Sequence, residues 1–311
     1  MKIRGPLPEP KPTPHHPDEI KPGPLVLPHE RVDAALATSL TREYVAPELV
    51  RLTSQTLALT RRFASETKAW AAAYEIDAEA APGKIDRGEF LLEMEKLAPD
   101  PEVLGRLVDA AIELASFTEE AVQQAMKQWA AKVKNDDQTL IRLVTLNVQR
   151  TVEAVAEVAE ATGLTPEAFY FILQQVGTAV LPAFAVQLAP LVDDEKWQHG
   201  TCPICGNGPV AAGLVGDGGR RHLVCDTCNF VWTFRRVMCP YCGNEDSDQL
   251  KVLAVDEDGP HRLDACDVCK RYVKTIDFRK ADVKQAVIVP IEDAATVFLD
   301  IMAGNEGYTR D

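Results

Sequence analysis

The sequence has 311 residues, 46% of them hydrophobic and 26% charged, with a net charge of −14. That length suits about two ordinary domains, and the proportions are those of a globular chain rather than a disordered or membrane-embedded one. The acidic balance opposes general nucleic-acid binding, which needs Lys and Arg concentrated against phosphate.

Residues 1–30 hold nine of the 21 prolines and almost no periodic hydrophobics, so an extended arm or a tail is predicted there. The opening MKIRGPLPEPKP has no apolar run of the kind a secretory signal carries. The cytoplasm is therefore the expected location, and there cysteines stay reduced and spaced pairs read as metal or redox sites. His15 and His16 lie in this stretch, but two adjacent histidines lack the further ligands a metal needs.

Residues 31–195 read as an all-α domain, rich in Ala, Leu, Glu and Arg at helical spacing. Pro47 and Glu48 open a helix with Leu49, Leu52, Leu59, Phe63 and Trp70 on its apolar side. Ser116 and Glu119 have capping-box spacing before Val122, Met126 and Trp129. Asn135 or Asp136 precedes one long stripe through Ile141, Val144, Val148, Val152, Val155 and Val158 or Ala159, ending at Gly163; Thr165 with Pro166 starts the next helix. These stripes predict a helical core of its own, able to stay folded if the rest of the chain loses structure. Ala168–Val192 carries no charge and has the length of a membrane span, yet it contains Gln174, Gln175, Gln187, Pro182 and Pro190. Two core helices broken near Pro182 are predicted instead, because lipid would leave those amides and the carbonyl freed by proline without partners.

Residues 196–290 change character to glycine, cysteine and β-formers. The eight cysteines form four Cys-x-x-Cys knuckles, Cys202/Cys205, Cys225/Cys228, Cys239/Cys242 and Cys266/Cys269, with none left over. Two intervening residues let a tight turn aim both sulfurs at one ion, and two turns complete a Cys₄ site. Cys-Pro-x-Cys-Gly-Asn occurs at 202–207 and again at 239–244, and an Asp-Gly turn (Asp217-Gly218, Asp258-Gly259) precedes the second knuckle of each copy. Each copy thus reads as knuckle, strand, hairpin turn, strand, knuckle, a rubredoxin-like or zinc-ribbon unit. The repeat pairs the first knuckle with the second and the third with the fourth. Two metal ions follow, each held by four thiolates; tetrahedral sulfur suits iron and zinc alike. His222 and His261, near the second and fourth knuckles, read as surface strand residues rather than ligands. Residues 291–311 add a C-terminal helix and tail, with Val297, Phe298 and Ile301 on one face.

No catalytic constellation is found: there is no Gly-x-Ser-x-Gly and no His-Glu-x-x-His, and Gly213–Gly219 leads into a strand rather than a phosphate-binding helix. No enzymatic activity is expected. Arg220, Arg221, Arg235 and Arg236 with Trp232 and Phe234 form the basic and aromatic cluster beside the knuckles, a candidate contact surface for a protein partner, in a cleft against the helices near Trp197 and His199. The same cluster leaves open a zinc-ribbon nucleic-acid module, and the Cys₄ sites leave open a thiol or iron redox sensor.

The run from Cys202 to Ile276 resembles the formate dehydrogenase accessory protein family, FdhE, through CPICGNGPVAAGL, GGRRHLVCDTC, WTFRRVMCPYCGNED and DACDVCKRYVKTID. The resemblance covers about a quarter of the chain, and all eight cysteines are present. It implies two rubredoxin-type iron sites, no catalysis, and a cytoplasmic role in maturing formate dehydrogenase through contact with its catalytic subunit.

Overall fold

Residues 15–310, apart from 26, 41–44, 117 and 149, are described by a computed structural model. The helical spacing of the first half folds into α1 (His29–Leu40), α2 (Pro47–Arg62), α3 (Ala64–Ala73), α4 (Ala81–Asp86), α5 (Pro101–Glu113), α6 (Glu120–Val133), α7 (Asp137–Thr145), α8 (Val152–Thr162) and α9 (Pro166–Leu188). Their ends are set by side chains that satisfy orphan amides. Asp100 accepts from the N–H groups of Glu102 and Val103, Asp136 from Thr139 and Thr165 from Ala168, while Gly163 closes α8 at φ 74°.

Several expectations are corrected. The helix expected from Pro47 through Trp70 bends at Phe63 (φ −101°, ψ 8°) into α2 and α3. Glu119 caps α6 without a side-chain bond, so the Ser116–Glu119 box does not form. The long stripe to Gly163 splits into α7 and α8 because Asn147 is fully buried and donates to the carbonyls of Leu143 and Leu173 at 2.8 and 2.9 Å, replacing the helical amide at the first of them.

The uncharged stretch forms one helix rather than two. Pro182 lies inside α9, and the carbonyl of Thr178 that it strips of its amide accepts from the Thr60 hydroxyl at 3.4 Å. With that group satisfied, a break is unnecessary. Pro166–Leu191 has the length and apolarity to cross a membrane, and 61% of its most apolar window is buried within the fold. It forms the axis of the helical layer, in contact with α2, α3, α5, α7 and α8.

The second half forms β2 (Pro209–Val215), β3 (Arg220–Cys225), β4 (Phe230–Thr233), β5 (Leu250–Leu253), β6 (His261–Cys266) and β7 (Tyr272–Asp277). A two-residue strand from the N-terminal segment, β1 (Gly23–Pro24), joins them in a seven-stranded sheet of order β1-β4-β3-β2-β7-β6-β5. Each repeat contributes an antiparallel triple, β2-β3-β4 and β5-β6-β7. The triples meet head to tail: β2, first in its copy, pairs in parallel with β7, last in the other, with Ala212 opposite Thr275.

The largest apolar core runs without interruption from Leu59 in α2 through α5, α7 and α9 to Ile204, Leu223, Phe230 and Trp232 of the first triple. The helices therefore do not have the separate core that their stripes suggested. At the C-terminus, α10 (Val289–Ala295) and α11 (Val297–Asn305) replace the single expected helix. Ile291, Leu299 and Ala303 are buried there, whereas Val297 and Ile301 face solvent, so the packed face differs from the one expected.

Candidate metal centres

Each knuckle is a tight backbone turn. Cys202 N–H donates to the Asn207 carbonyl at 2.8 Å and Gly206 N–H returns to Cys202 at 2.9 Å; the third knuckle repeats this with Cys239, Asn244 and Gly243. The turn needs a left-handed residue after its second cysteine. Gly206 and Gly243 supply it at φ 76° and 73°, and Asn229 and Lys270 adopt it at 56° and 57° in the second and fourth knuckles. The sequence offers no glycine at those last two places.

The turns bring the sulfurs together in two groups, Cys202, Cys205, Cys225 and Cys228, and Cys239, Cys242, Cys266 and Cys269, all Sγ atoms of a group lying within 4.8 Å of one another. Within the first, Cys202–Cys228 and Cys205–Cys225 are 3.5 Å apart and Cys205–Cys228 3.6 Å; within the second, Cys239–Cys269 is 3.6 Å and Cys242–Cys266 3.7 Å. A disulfide needs about 2.05 Å. A metal–sulfur distance of about 2.3 Å in a tetrahedron sets sulfurs about 3.8 Å apart. The donor sets fit tetrahedral ions. Amides of Ile204 and Thr227 point at Cys202 and Cys225 Sγ at 3.4 Å, placing donors where thiolate charge would sit.

The two sites differ in environment. All four sulfurs of the first are buried, and burial pushes the thiols of Cys202, Cys205, Cys225 and Cys228 upward, most strongly at Cys228. In the second, Cys242 is exposed and Cys269 half-buried. There burial still raises Cys239, whereas at Cys266 burial is outweighed by the amides of Cys269 and Val268 together with the neighbouring Cys242 and Cys239, and the thiol is lowered.

The first site is locked to the helices. Asn207, beside its first knuckle, donates to the Asn147 carbonyl at 2.6 Å and the Thr227 hydroxyl at 2.9 Å, and accepts from the Arg150 amide at 2.8 Å. Arg150 in turn pairs with Asp226 at 2.5 Å, and Gln174 on α9 donates to the Asp226 carbonyl at 3.0 Å. Gly177 makes the contact possible, since a Cβ there would lie 2.3 Å from Asn147 Oδ1 and 2.8 Å from Thr227 Cγ2.

The basic and aromatic cluster does not form one surface. Trp232 is wholly buried and donates from Nε1 to the His199 carbonyl at 3.0 Å; Phe234 and Arg221 are buried as well. Arg220, Arg235 and Arg236 remain exposed, with Arg235 paired to Glu245. The cleft expected between metal sites and helices is filled by the shared core, and Trp197 lies inside it at zero exposure. Only ring faces open to solvent stack on bases, so the aromatic pair offers no nucleic-acid platform. His222 is buried rather than on the surface, with Nδ1 3.1 Å from the Thr233 hydroxyl, and half-buried His261 pairs with Glu292 at 2.7 Å. Neither histidine belongs to a sulfur group.

Residues 201–236, which span the first four cysteines, match the family model described as "FdhE, central domain". A protein named FdhE homolog from Aquifex aeolicus is 30% identical over 152 residues, 48% of this chain and 52% of that one. An FdhE homolog from Shewanella oneidensis is 32% identical over 36% of each chain, and one from Shewanella baltica 24% identical over 75% of each. The matched stretch thus spans about half the length of the Aquifex relative and less of the Shewanella oneidensis one. The crystal structure of the FdhE protein from Pseudomonas aeruginosa has the same fold, with TM-score 0.59, 20% identity, and coverage of 90% of this chain and 91% of that one.

Proposed function

We propose that the chain is a member of the FdhE family, a non-enzymatic cytoplasmic accessory protein in the maturation of formate dehydrogenase that contacts the catalytic subunit of that enzyme; the matching central-domain model, the FdhE homologs and the shared fold support this reading. In this reading Cys202, Cys205, Cys225 and Cys228 hold one metal ion, and Cys239, Cys242, Cys266 and Cys269 a second. The observation that carries it is the pair of four-sulfur groups with tetrahedral edges. Four ligands close the coordination shell, which suits a structural or electron-holding ion and leaves no open position for substrate.

Iron is favoured over zinc at the first site by burial. Four thiolates leave one negative charge around ferric iron and two around ferrous iron or zinc, so a fully desolvated site favours iron in its oxidised state over either divalent ion. Zinc remains the alternative at the exposed second site, where water screens the difference.

Exposure supports a partner surface on the second repeat. Val252, Val255 and Val268, all 59% exposed or more, lie in the second repeat together with the exposed Cys242, and among the described residues the first repeat contributes no comparable side chain, the other large apolar side chains more than half exposed being Val237 just before the second repeat, Val152 and Val186 in the helices and Ile301 in α11. Exposed apolar groups concentrated in one unit mark an interaction face. In this reading the second metal unit makes the contact while the first anchors it to the helices.

Two measurements test this. Metal analysis and absorption of protein purified without air should give two ions per chain, and fewer than about 1.5 equivalents would count against the sites, since closed four-ligand sites fill. The intact protein should capture the catalytic subunit, and Val252→Asp with Val268→Asp should weaken capture. No capture by the intact protein under reducing conditions would remove the assigned partner; equal capture by the double variant would remove only the surface.

A further inference from the structure

We propose that the cleft beside the second metal site is a binding site for a phosphoryl group. The cleft, about 240 Å³, is lined by Arg221, Arg236, Arg262, Arg271 and Lys251 against the single carboxylate of Asp264, next to Cys239 and Cys266. Arg221 is supplied by β3 of the first repeat, yet its Nη1 donates to the Met238 carbonyl of the second at 3.0 Å.

The unusual feature is unspent hydrogen-bonding capacity on buried cations. The Arg221 side chain is 2% exposed, and its Nε and Nη2 have no hydrogen-bond partner. Asp264 does not fill that place: its Oδ2 is 3.8 Å from Arg221 Nη2 and accepts instead from the Thr275 hydroxyl at 2.8 Å. Arg262 Nε lies 3.0 Å from Asp264 Oδ1 without hydrogen-bond alignment, so both atoms stay unsatisfied. Arg271 stacks its guanidinium 3.9 Å from the centroid of Tyr241, spends Nη2 on the Arg310 carbonyl, and leaves Nε open.

A buried guanidinium with open N–H groups is costly unless an acceptor completes it. The open Nε and Nη2 of Arg221 lie on one edge of the guanidinium, the fork that engages two oxygens of an oxyanion. A lone carboxylate would be saturated by that fork. Open donors on three guanidinium groups, with five cations against one carboxylate and the net charge of the adjoining thiolates, call for more oxygens and more charge, and a phosphoryl group brings both. The cleft is several times the roughly 30 Å³ that a water occupies, so it admits the phosphate with part of an organic body against Val237 and Val252.

The alternative role for these arginines is neutralising the thiolate charge of the second metal site, and the two roles separate experimentally. Inorganic phosphate titrated into the metal-loaded full chain should bind saturably, and more tightly than acetate. Arg262→Gln, at a half-buried position, should weaken phosphate by about tenfold with the metal absorption unchanged. Asp264→Asn should tighten it by removing a like charge. No saturable binding, acetate binding as tightly as phosphate, or unchanged phosphate affinity in both variants would overturn the assignment, as would an Arg262→Gln effect confined to metal content.

Discussion

The side-chain amide of Asn207 donates to the main-chain carbonyl of Asn147 at 2.6 Å, tying the first metal knuckle to the turn between α7 and α8. Its counterpart in the second repeat, Asn244, bonds only within its own unit, to the Asp246 carbonyl at 3.4 Å and Cys266 Sγ at 3.8 Å, and accepts from the Asp246 amide at 3.2 Å. The same motif residue thus has two different roles. Asn207→Ala leaves a buried carbonyl and a buried amide unpaired, and should cost about 2–6 kcal/mol at about 1–3 kcal/mol per orphaned group. Asn244→Ala should cost under about 1 kcal/mol. Denaturant unfolding of both variants checks the contrast, and equal losses would disprove it.

Gly177→Ala offers a test in which propensity and packing oppose each other. In a helix interior Ala is better than Gly by about 1 kcal/mol. The added Cβ, however, would sit 2.3 Å from Asn147 Oδ1, on a side chain fixed by its own bonds to Leu143 and Leu173. Overpacking of this kind costs about 1–3 kcal/mol, so the variant should be less stable than the parent. A raised melting temperature would show that α9 and the knuckle have room to separate.

Removing one ligand from each site should have unequal reach. Cys202→Ser opens the site that shares the main core with α2, α5, α7 and α9, and should lower the melting of the far-ultraviolet helical signal. Cys239→Ser should leave that melting nearly unchanged while releasing its own metal, because the second group lies outside that core. Matching effects of the two substitutions would mean that the sites are coupled through the β2–β7 pairing instead.

His222 supplies a pH dependence. Burial lowers its pKa, partly opposed by Asp194 and reinforced by Arg220, so the folded chain prefers the neutral imidazole. A depressed folded pKa contributes stability that is present above the ordinary histidine value of about 6.5 and is lost as pH falls from there through the folded pKa. The parent should therefore lose more stability between pH 7.5 and 5.5 than His222→Gln does. Parallel pH profiles would show that the ring is not buried neutral.

The cysteine spacing carried the pairing of the knuckles because each Cys-x-x-Cys turn and its hairpin are local, and local geometry is written in adjacent residues. Long-range satisfaction is not. Nothing near Pro182 tells that Thr60, over a hundred residues away, will cover the Thr178 carbonyl, and so the helix looked broken. Trp232 and Phe234 alternate with polar neighbours as a contact surface would, and only the core shared by helices and sheet makes them interior. Arg221 was noticed for its charge, yet its place in the second repeat's cleft depends on the head-to-tail joining of the triples, which the repeat itself does not specify.

That joining has a consequence for assembly. A contact between the first strand of one unit and the last strand of the next is heterologous, and such a contact has no built-in end: a third unit could in principle be added at β5, and a whole chain could add another, giving a growing fibre. The ends are blunted by chemistry rather than by symmetry. On one side β1 closes the sheet with only two residues, one of them Pro24, which has no N–H to offer a newcomer. On the other, β5 is four residues long and carries exposed Lys251, a charge that an incoming apolar strand would have to bury. The duplicated metal fold can thus remain a single closed molecule even though its internal pairing rule is that of a polymer.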